Sequence, residues 1–505
     1  MSGGESAATF CNPFWRGSFP DPFVLKVRGR YYAYGTEQQE RPEAGARIFP
    51  ILTSSDLVHW QEAGRALQPL GTQYFRYWAP EVAAHNGKFL LYYAVHTDEF
   101  TAGIRVATAD VPAGPFVDSG HDLTRALFPW AIDPHVFCDH DGQWYLYMTV
   151  ELRDDPSALT GVGNVVVRLR DPYTVEGSPS VVTPPRHAWQ LFEARRLERA
   201  GIDWYCVEGP TVLRHRRRYH EMFSGGCYYR DNYAVSYAVA DTPMGPSNSR
   251  DTSWQEAMGP DGPRFLLQGR SGAISPGHNS VVYGPNNADL YLAYHTLSPE
   301  RTERRPCLDR LFWHGDEPWT AGPTDTQQPA PALPRWRDLY EHTQSTLSPS
   351  WTPDGGAWRA QDGIVVQDDR YARLALLHQQ EVLGSAWLLE VNLRRLMGIG
   401  RYGLELRACD HALARITIEP TSELTVWSGE SCVEQLSAAA LPAGFAADDW
   451  HQLMCTFAGS VLGLQIDGRP LSEVVLAGSP RTIALLTEDC QAAFSGLSLT
   501  DHFRD

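Results

Sequence analysis

Asp21 stands between Pro20 and Pro22 in GSFPDPFVLKVRGRYYAYGT, residues 17–36, directly ahead of a run of strand-forming residues. A proline on each side removes backbone freedom and suits a strand entrance, a constraint that a merely solvated charge would not need. Four later stretches carry the same phrase of a polar residue, a short strand, a turn and an aromatic second strand. They are WAPEVAAHNGKFLLYYAV from Trp78, IDPHVFCDHDGQWYLYMTV from Ile132, VEGPTVLRHRRRYHEMFSGG from Val207 and GHNSVVYGPNNADLYLAYHT from Gly277. Aligned on the polar residue, they bring Asp21, Glu81, Asp133, Glu208 and His278 to one register at intervals of 52 to 75 residues. Carboxyls gathered in one cavity can divide general-acid from general-base work. Taken singly, each DP or GP pair reads equally as a strand-entrance turn; recurrence is what favours chemistry.

Each of the five stretches reads as a hairpin, with Val, Tyr and Trp in short runs and HNG, HDG and GPNN at the turns. No alternating helical pattern separates them. Repeats of this length, each a small antiparallel sheet, predict a five-bladed β-propeller in which the first strand of every blade lines a central channel. The five aligned residues would then converge at one end of that channel.

Composition narrows the partners. The chain has 505 residues, 43% of them hydrophobic, and a formal charge of −17. That is enough apolar content for more than one core, and the acidity argues against nucleic acid or an anionic membrane as partner and for a neutral small ligand. There is no run of eighteen apolar residues, and MSGGESAATFCNPFW lacks the basic and apolar regions of a signal peptide, which predicts a cytoplasmic chain. Nine cysteines without CxxC spacing predict buried thiols and no disulfide framework or zinc site.

The motifs FPDP, YWAPE, AIDPHVF, VEGPTV, SGGCYYRDNYAVSYAVADTPMGP and GHNSVV, in that order across residues 12 to 320, resemble glycoside hydrolase family 43. The resemblance implies inverting hydrolysis with Asp21 as general base, Glu208 as general acid and Asp133 tuning the acid. Such a mechanism needs one carboxylic acid to protonate the leaving oxygen and one carboxylate to activate water on the opposite sugar face, roughly 6.5–9.5 Å away. Glu208 is then expected to hold its proton through repulsion by an ionised Asp133, and Asp21 to stay ionised in a polar setting. Pro20 and Ile132 stand where the related fructan-acting propellers have Asn and Arg, which disfavours that reading.

Around these residues, Trp78, Trp130, Phe75 and Tyr229 are candidates to stack on a sugar ring, with core packing as the alternative for each; Trp15 flanks the first motif. Glu81 reads as a channel residue with either a substrate or a structural role. His278 is a candidate for substrate contact or, in the family's channel, for a calcium ion; no cofactor is otherwise required. A lone histidine without further ligands is more often a hydrogen-bonded core residue. Arg305, next to Arg304 in ERRPCLDRLFW, is the candidate pocket arginine.

The Pro- and Gln-rich stretch 321–336 reads as a linker between a catalytic propeller (1–320) and a second domain (337–505). WLLEVNLRRL, RYGLELRA, LARITIEP, ELTVWSG, WHQLMCTFAGSVLGLQIDGRPL and AAFSGLSL are strand-like runs at the spacing of a β-sandwich, similar to lectin and laminin-G jelly rolls. This sandwich is either a structural partner or a carbohydrate-binding module. Within the resemblance, YAYGTE and the absence of an export signal favour an exo-acting α-L-arabinofuranosidase on oligosaccharides. The alternatives are a β-D-xylosidase, or a bifunctional enzyme, and a propeller that binds glycans without cleaving them. Oligomeric state is not legible in the sequence.

Overall fold

In the computed structural model, the structure describes residues 8–43, 45–153, 158–244, 254–340, 347–370, 373–408, 411–429, 432 and 434–501. The fold is all-β, as expected; among the described residues the helical elements are the short 3-10 turns Ala188–Gln190 and Leu197–Arg199. Two compact units emerge. The first comprises 1–26, 31–283 and 289–331, the second 27–30, 284–288 and 332–505.

The first unit is a five-bladed propeller. Blade 1 has strands Phe23–Val27, Arg30–Tyr34, Ile48–Ser54 and Gln61–Leu67; blade 2 has Phe75–His85, Lys88–Asp98, Thr101–Ala109 and Val117–Asp122. Blade 3 has Ala131–Cys138, Trp144–Leu152, Gly161–Asp171 and Thr174–Thr183. Ile202–His215, Arg218–Gly225, Ala234–Ala240 and Phe265–Gln268 form blade 4, and Ile274–Tyr283, Leu290–Leu297, Arg304–His314 and Glu317–Thr320 form blade 5. Blades 3 and 4 share one sheet through a short parallel pairing of Gly161–Val162 with Tyr205–Cys206.

Strand alternation puts an apolar face on each side of every blade, and five hydrophobic clusters fill the gaps between successive blades. Phe49 and Tyr93 pack between blades 1 and 2, Tyr92 and Met148 between 2 and 3, and Tyr147 and Phe223 between 3 and 4. Met222 with Tyr294, and Val24 with Tyr291, complete the ring through blades 4, 5 and 1. Three second-strand tyrosines add a polar lock: Tyr34, Tyr92 and Tyr147 donate to the carbonyls of Pro112, Pro172 and Pro243 in the next blade. Each such bond contributes about 1 kcal/mol.

Residues 321–331, read above as part of a linker, belong to the first unit. Gln328–Pro329 pairs with Thr9–Phe10, and the Asn12 side chain bonds Leu308 and the Thr324 carbonyl, so this stretch staples the N-terminal segment to blade 5.

The second unit is a β-sandwich built on two bent strands, Ala386–Arg407 and Thr482–Asp501, which pair along their length with irregularities between Glu390 and Arg401. The two halves of each strand have different outer neighbours. Tyr402–Arg407 lies between Ala412–Ile418 and the first half of Thr482–Asp501; Ala386–Leu393 lies between His451–Ala458 and the second half. Trp387, Leu404, Ile416, Leu453 and Phe494 share the core between them. WLLEVNLRRL and RYGLELRA are therefore halves of one strand. Of the cysteines, Cys206, Cys227, Cys307, Cys455 and Cys490 are buried free thiols, Cys138 and Cys432 are half-buried and Cys11 is exposed; Cys409 lies outside the described residues.

Candidate active site

The channel residues are positioned by one repeated backbone feature. In blades 2 to 5 the first strand slips register against the second between Trp78 and Glu81, Ile132 and His135, Glu208 and Thr211, and Gly277 and Ser280. Each slip contains a residue in left-handed conformation: Ala79 (φ 45°), Asp133 (53°), Gly209 (59°) and His278 (51°), matched in blade 1 by Asp21 (52°). For a residue with a side chain this costs about 1–2 kcal/mol. The prolines after four of them disfavour the right-handed alternative.

This corrects the alignment made on acidity. The true equivalents are Asp21, Ala79, Asp133, Gly209 and His278, because the bulge and not the charge sets the register. Glu208 sits one residue before its bulge, level with Trp78, Ile132 and Gly277. Glu81 sits two beyond Ala79, level with His135, Thr211 and Ser280.

That second level is a ring of bonds between blades. Glu81 accepts from Val136 N–H at 3.2 Å and faces His135 Nδ1 at 3.1 Å, and His135 Nε2 accepts from Val212 N–H at 2.9 Å. Thr211 donates to the Asn279 carbonyl, and Ser280 to the Pro22 carbonyl. Glu81 thus ties blades 2 and 3 together while also lining the channel. A small cavity lined by Asp21, Ala79, Glu81, Asp133, Thr211 and His278 runs down the channel past both levels.

Asp21 is buried among cations. Arg304 Nη1 donates to its Oδ1 at 2.8 Å, and His278 Nδ1 lies 3.3 Å from the same oxygen. Burial alone would raise its pKa, but Arg304, His278 and the Thr36 hydroxyl outweigh that and hold it well below the usual carboxylate range. His295 is different from His278. Burial and Arg304 push its pKa far down, so it is neutral, and its Nδ1 accepts the Asp21 backbone N–H at 3.2 Å. A nitrogen that accepts cannot also donate, so its 3.3 Å approach to Asp21 Oδ1 is no ion pair. For His278, burial opposes the charge, but Asp21, Asp133 and Glu208 prevail and raise its pKa.

Asp133 is the carboxyl pushed the other way, up to about 7, by burial and by Glu208 and Asp21 against His278 and the Gly209 N–H, which donates to Oδ2 at 3.1 Å. The repulsion expected between Asp133 and Glu208 is thus present, and it bears on Asp133. Glu208 is half-buried, and Tyr233 donates to its Oε1 at 2.7 Å.

Arg305, the expected pocket arginine, turns away to Glu303 at 2.8 Å and Glu300 at 3.9 Å. Consecutive strand residues point to opposite faces, so Arg304 is the one on Asp21. Trp78 and Trp130 are half-buried and pack on Ala94, Ala102 and Ile132; Trp130 also touches the cluster of Trp204 and Phe192. Tyr229 is 39% exposed, edge-on to Tyr228 and Phe192. Phe75 is buried, its ring against His96 and the guanidinium groups of Arg41 and Arg76. Trp15 packs at the edge of the cluster between blades 5 and 1.

Sequence reasoning named Arg304 only as the neighbour of Arg305, and missed Tyr233, Tyr228, His295 and Thr36. Arg304 stacks on Tyr228 with 4.7 Å between guanidinium and ring centroid. The readable signal was the residue about sixteen positions after each channel residue: Thr149, Ser224 and His295 are polar within a strand, and Thr36 stands just past one.

His278 pairs with Asp21 and Glu81 with His135, so a calcium ion in the channel would draw on carbonyls and water as well. Among the described residues no three His, Cys, Asp or Glu side chains could share a metal, and Asp21 is already neutralised by Arg304.

Gly277 has a defined duty. A Cβ there would lie 2.0 Å from Tyr233 Cε1. Gly277→Ala is expected to displace the Tyr233 ring and break its bond to Glu208, lowering kcat about tenfold or more while the far-UV circular dichroism stays native. Unchanged kcat in a folded variant would refute that duty.

The sequence profile of glycosyl hydrolases family 43 matches residues 10–318. The chain is 28% identical over 330 residues to a beta-D-galactofuranosidase of Aspergillus niger, covering 60% of this chain and 82% of that protein. It is 20% identical over 327 residues to an extracellular exo-alpha-(1->5)-L-arabinofuranosidase of Streptomyces avermitilis, covering 61% and 62%. A solved thermostable family-43 glycoside hydrolase matches with TM-score 0.53 and 30% identity, over 64% of this chain and 99% of that one.

Proposed function

The chain belongs to glycosyl hydrolases family 43, and on that premise we propose that it is an inverting exo-enzyme releasing terminal α-L-arabinofuranose from oligosaccharides. The observation that carries this reading is the opposed setting of the carboxyls. Asp21 is held ionised by Arg304, while Asp133 is pushed up to about 7 beside Glu208. In this reading Asp21 takes a proton from water as the water attacks the anomeric carbon. Glu208, oriented by Tyr233, gives its proton to the departing oxygen. Asp133, buried beside Glu208 and held by the Gly209 N–H, repels a second negative charge, so the two carboxyls resist ionising together. Trp78, Trp130 and Tyr229 offer ring faces to the sugar, and His278 balances the charge of Asp21.

A furanoside is favoured by the relatives. β-D-galactofuranose and α-L-arabinofuranose share ring configuration and differ by one exocyclic carbon, so a pocket that accepts one ring presents the same groups to the other. The names of the two relatives above fall on this pair. Relatives named xylosidase/arabinosidase keep a β-D-xylosidase as the second reading. Nitrophenyl glycosides of α-L-arabinofuranose, β-D-galactofuranose and β-D-xylopyranose separate these, and NMR of the first-formed sugar reads the anomer. Turnover of the xyloside alone, or retention of configuration, overturns the proposal.

Arg304→Met tests the setting of Asp21. Removing the cation raises the Asp21 pKa, and a base works only when ionised, so the acid limb of kcat/KM should move up by about 1 unit or more. An unmoved limb would mean that Arg304 does not govern the base.

A further inference from the structure

Behind the channel, the polar residue that follows each channel residue by about sixteen positions has a repeated task. Thr36 Oγ1 accepts the N–H of Ala79 at 2.7 Å, Ser224 Oγ accepts that of His278 at 2.7 Å, and His295 accepts that of Asp21 at 3.2 Å. In each case the side chain of one blade holds the bulge of the next. Thr149, the corresponding residue of blade 3, does not. The Gly209 N–H that it would serve goes to Asp133 Oδ2 instead.

The reason lies in a row of buried polar groups. Thr149, Asn164 and Thr183 are cross-strand neighbours on three successive strands of blade 3. Glu221, from the second strand of blade 4 and fully buried, packs onto that row. Asn164 Nδ2 donates to Glu221 Oε1 at 2.9 Å, and Thr183 Oγ1 lies 3.1 and 2.9 Å from the two Glu221 oxygens. With its amide nitrogen fixed on Glu221, Asn164 turns its oxygen to Thr149, whose hydroxyl donates to it at 2.9 Å. A hydroxyl has one proton. Thr149 Oγ1, 3.5 Å from Asp133 Oδ2, therefore presents a lone pair to that carboxyl.

Resting on the family reading above, we propose that Glu221 is a positioning residue for Asp133: through Asn164 and Thr149 it orients a chain of hydrogen bonds whose open end favours the protonated carboxyl. Every donor in the chain points away from Asp133 and toward Glu221. The chain works whether or not Glu221 is ionised. Burial pushes Glu221 up to about 8, against Thr183 and Asn164, and in its neutral form it can donate to Thr183 while still accepting from Asn164. Glu256 and Tyr147 also face Glu221, with Arg186 and His187 paired to Glu256. Asp133 faces Asp21, Glu208, His278 and the Gly209 N–H. A buried carboxyl serving packing alone would be replaceable by an apolar side chain without consequence for a distant titration.

The test compares Glu221→Leu, Thr149→Val and Glu221→Gln by two readouts, the alkaline limb of kcat/KM and the Asp133 carboxyl titration followed by ¹³C NMR in aspartate-labelled protein. In Glu221→Leu, Asn164 is free to rotate, Thr149 can donate to Asp133, and its ionised form is favoured. Thr149→Val removes the lone pair. Both should lower the limb and the titration by about half a unit or more, roughly threefold in kcat/KM at the alkaline end. Gln can accept from Asn164 and donate to Thr183, so Glu221→Gln should leave both midpoints in place. Thr149→Val is near-isosteric and keeps the test open if the leucine variant fails to fold. Unmoved midpoints in the folded variants, or a shift in Glu221→Gln as large as in Glu221→Leu, overturn the proposal. Because the NMR titration needs no substrate, a wild-type protein inactive on every glycoside tried would sink the activity and leave this inference to stand or fall separately.

Discussion

Asp21→Asn should lower kcat by a factor of about 10²–10⁴ with KM changed little, the range that a general base ordinarily contributes. Asparagine matches the shape, keeps its backbone N–H on His295 and can still accept from Arg304, so the fold and the pocket outline persist. What it cannot do is take a proton from water. Asp21→Ala leaves a hole beside Arg304 and His278, two groups suited to a small anion. Azide should therefore restore turnover to that variant and give a glycosyl azide of inverted configuration. Kinetics on the preferred glycoside, with a thermal melt as control, make the check. An asparagine variant within threefold of wild type would remove Asp21 from the role of base.

Glu208→Ala should separate substrates by their leaving groups. An alkoxide leaving a sugar needs protonation, whereas a dinitrophenolate leaves unaided, so only the first depends on a general acid. On an arabino-oligosaccharide kcat should fall by about 10³ or more; on a dinitrophenyl glycoside the loss should be about tenfold. Tyr233 then loses its acceptor, but its ring stays wedged against Gly277 and the site keeps its shape. Equal losses on both substrates would mean that Glu208 contributes something other than its proton.

Much of this architecture was legible because it is local. Alternating Val, Tyr and Trp runs with Gly and Asn turns define strands over a few residues, and five repeats of one hairpin phrase define blades. Asp21 and Asp133 are recognisable because a proline follows each, and that proline belongs to the strained turn that aims them. The boundary near 321–336 was visible as composition, but Gln328–Pro329 pairs with Thr9–Phe10, a partner more than three hundred residues away that no composition window can see.

The sequence by itself determined the blade count, the sandwich and the kinds of side chain available to the channel, since residue type and period of two are written in order along the chain. Tertiary structure alone decided which of them meet. The bulges moved Glu81 down to a ring of bonds between blades and left Glu208 a step above the equivalent glycine, and one residue of strand alternation gave Asp21 to Arg304 and not to Arg305. The register slips along the two long strands of the second unit are of the same kind. A register slip costs a single residue in the sequence and turns every following side chain to another face, so it is nearly silent in one dimension and decisive in three.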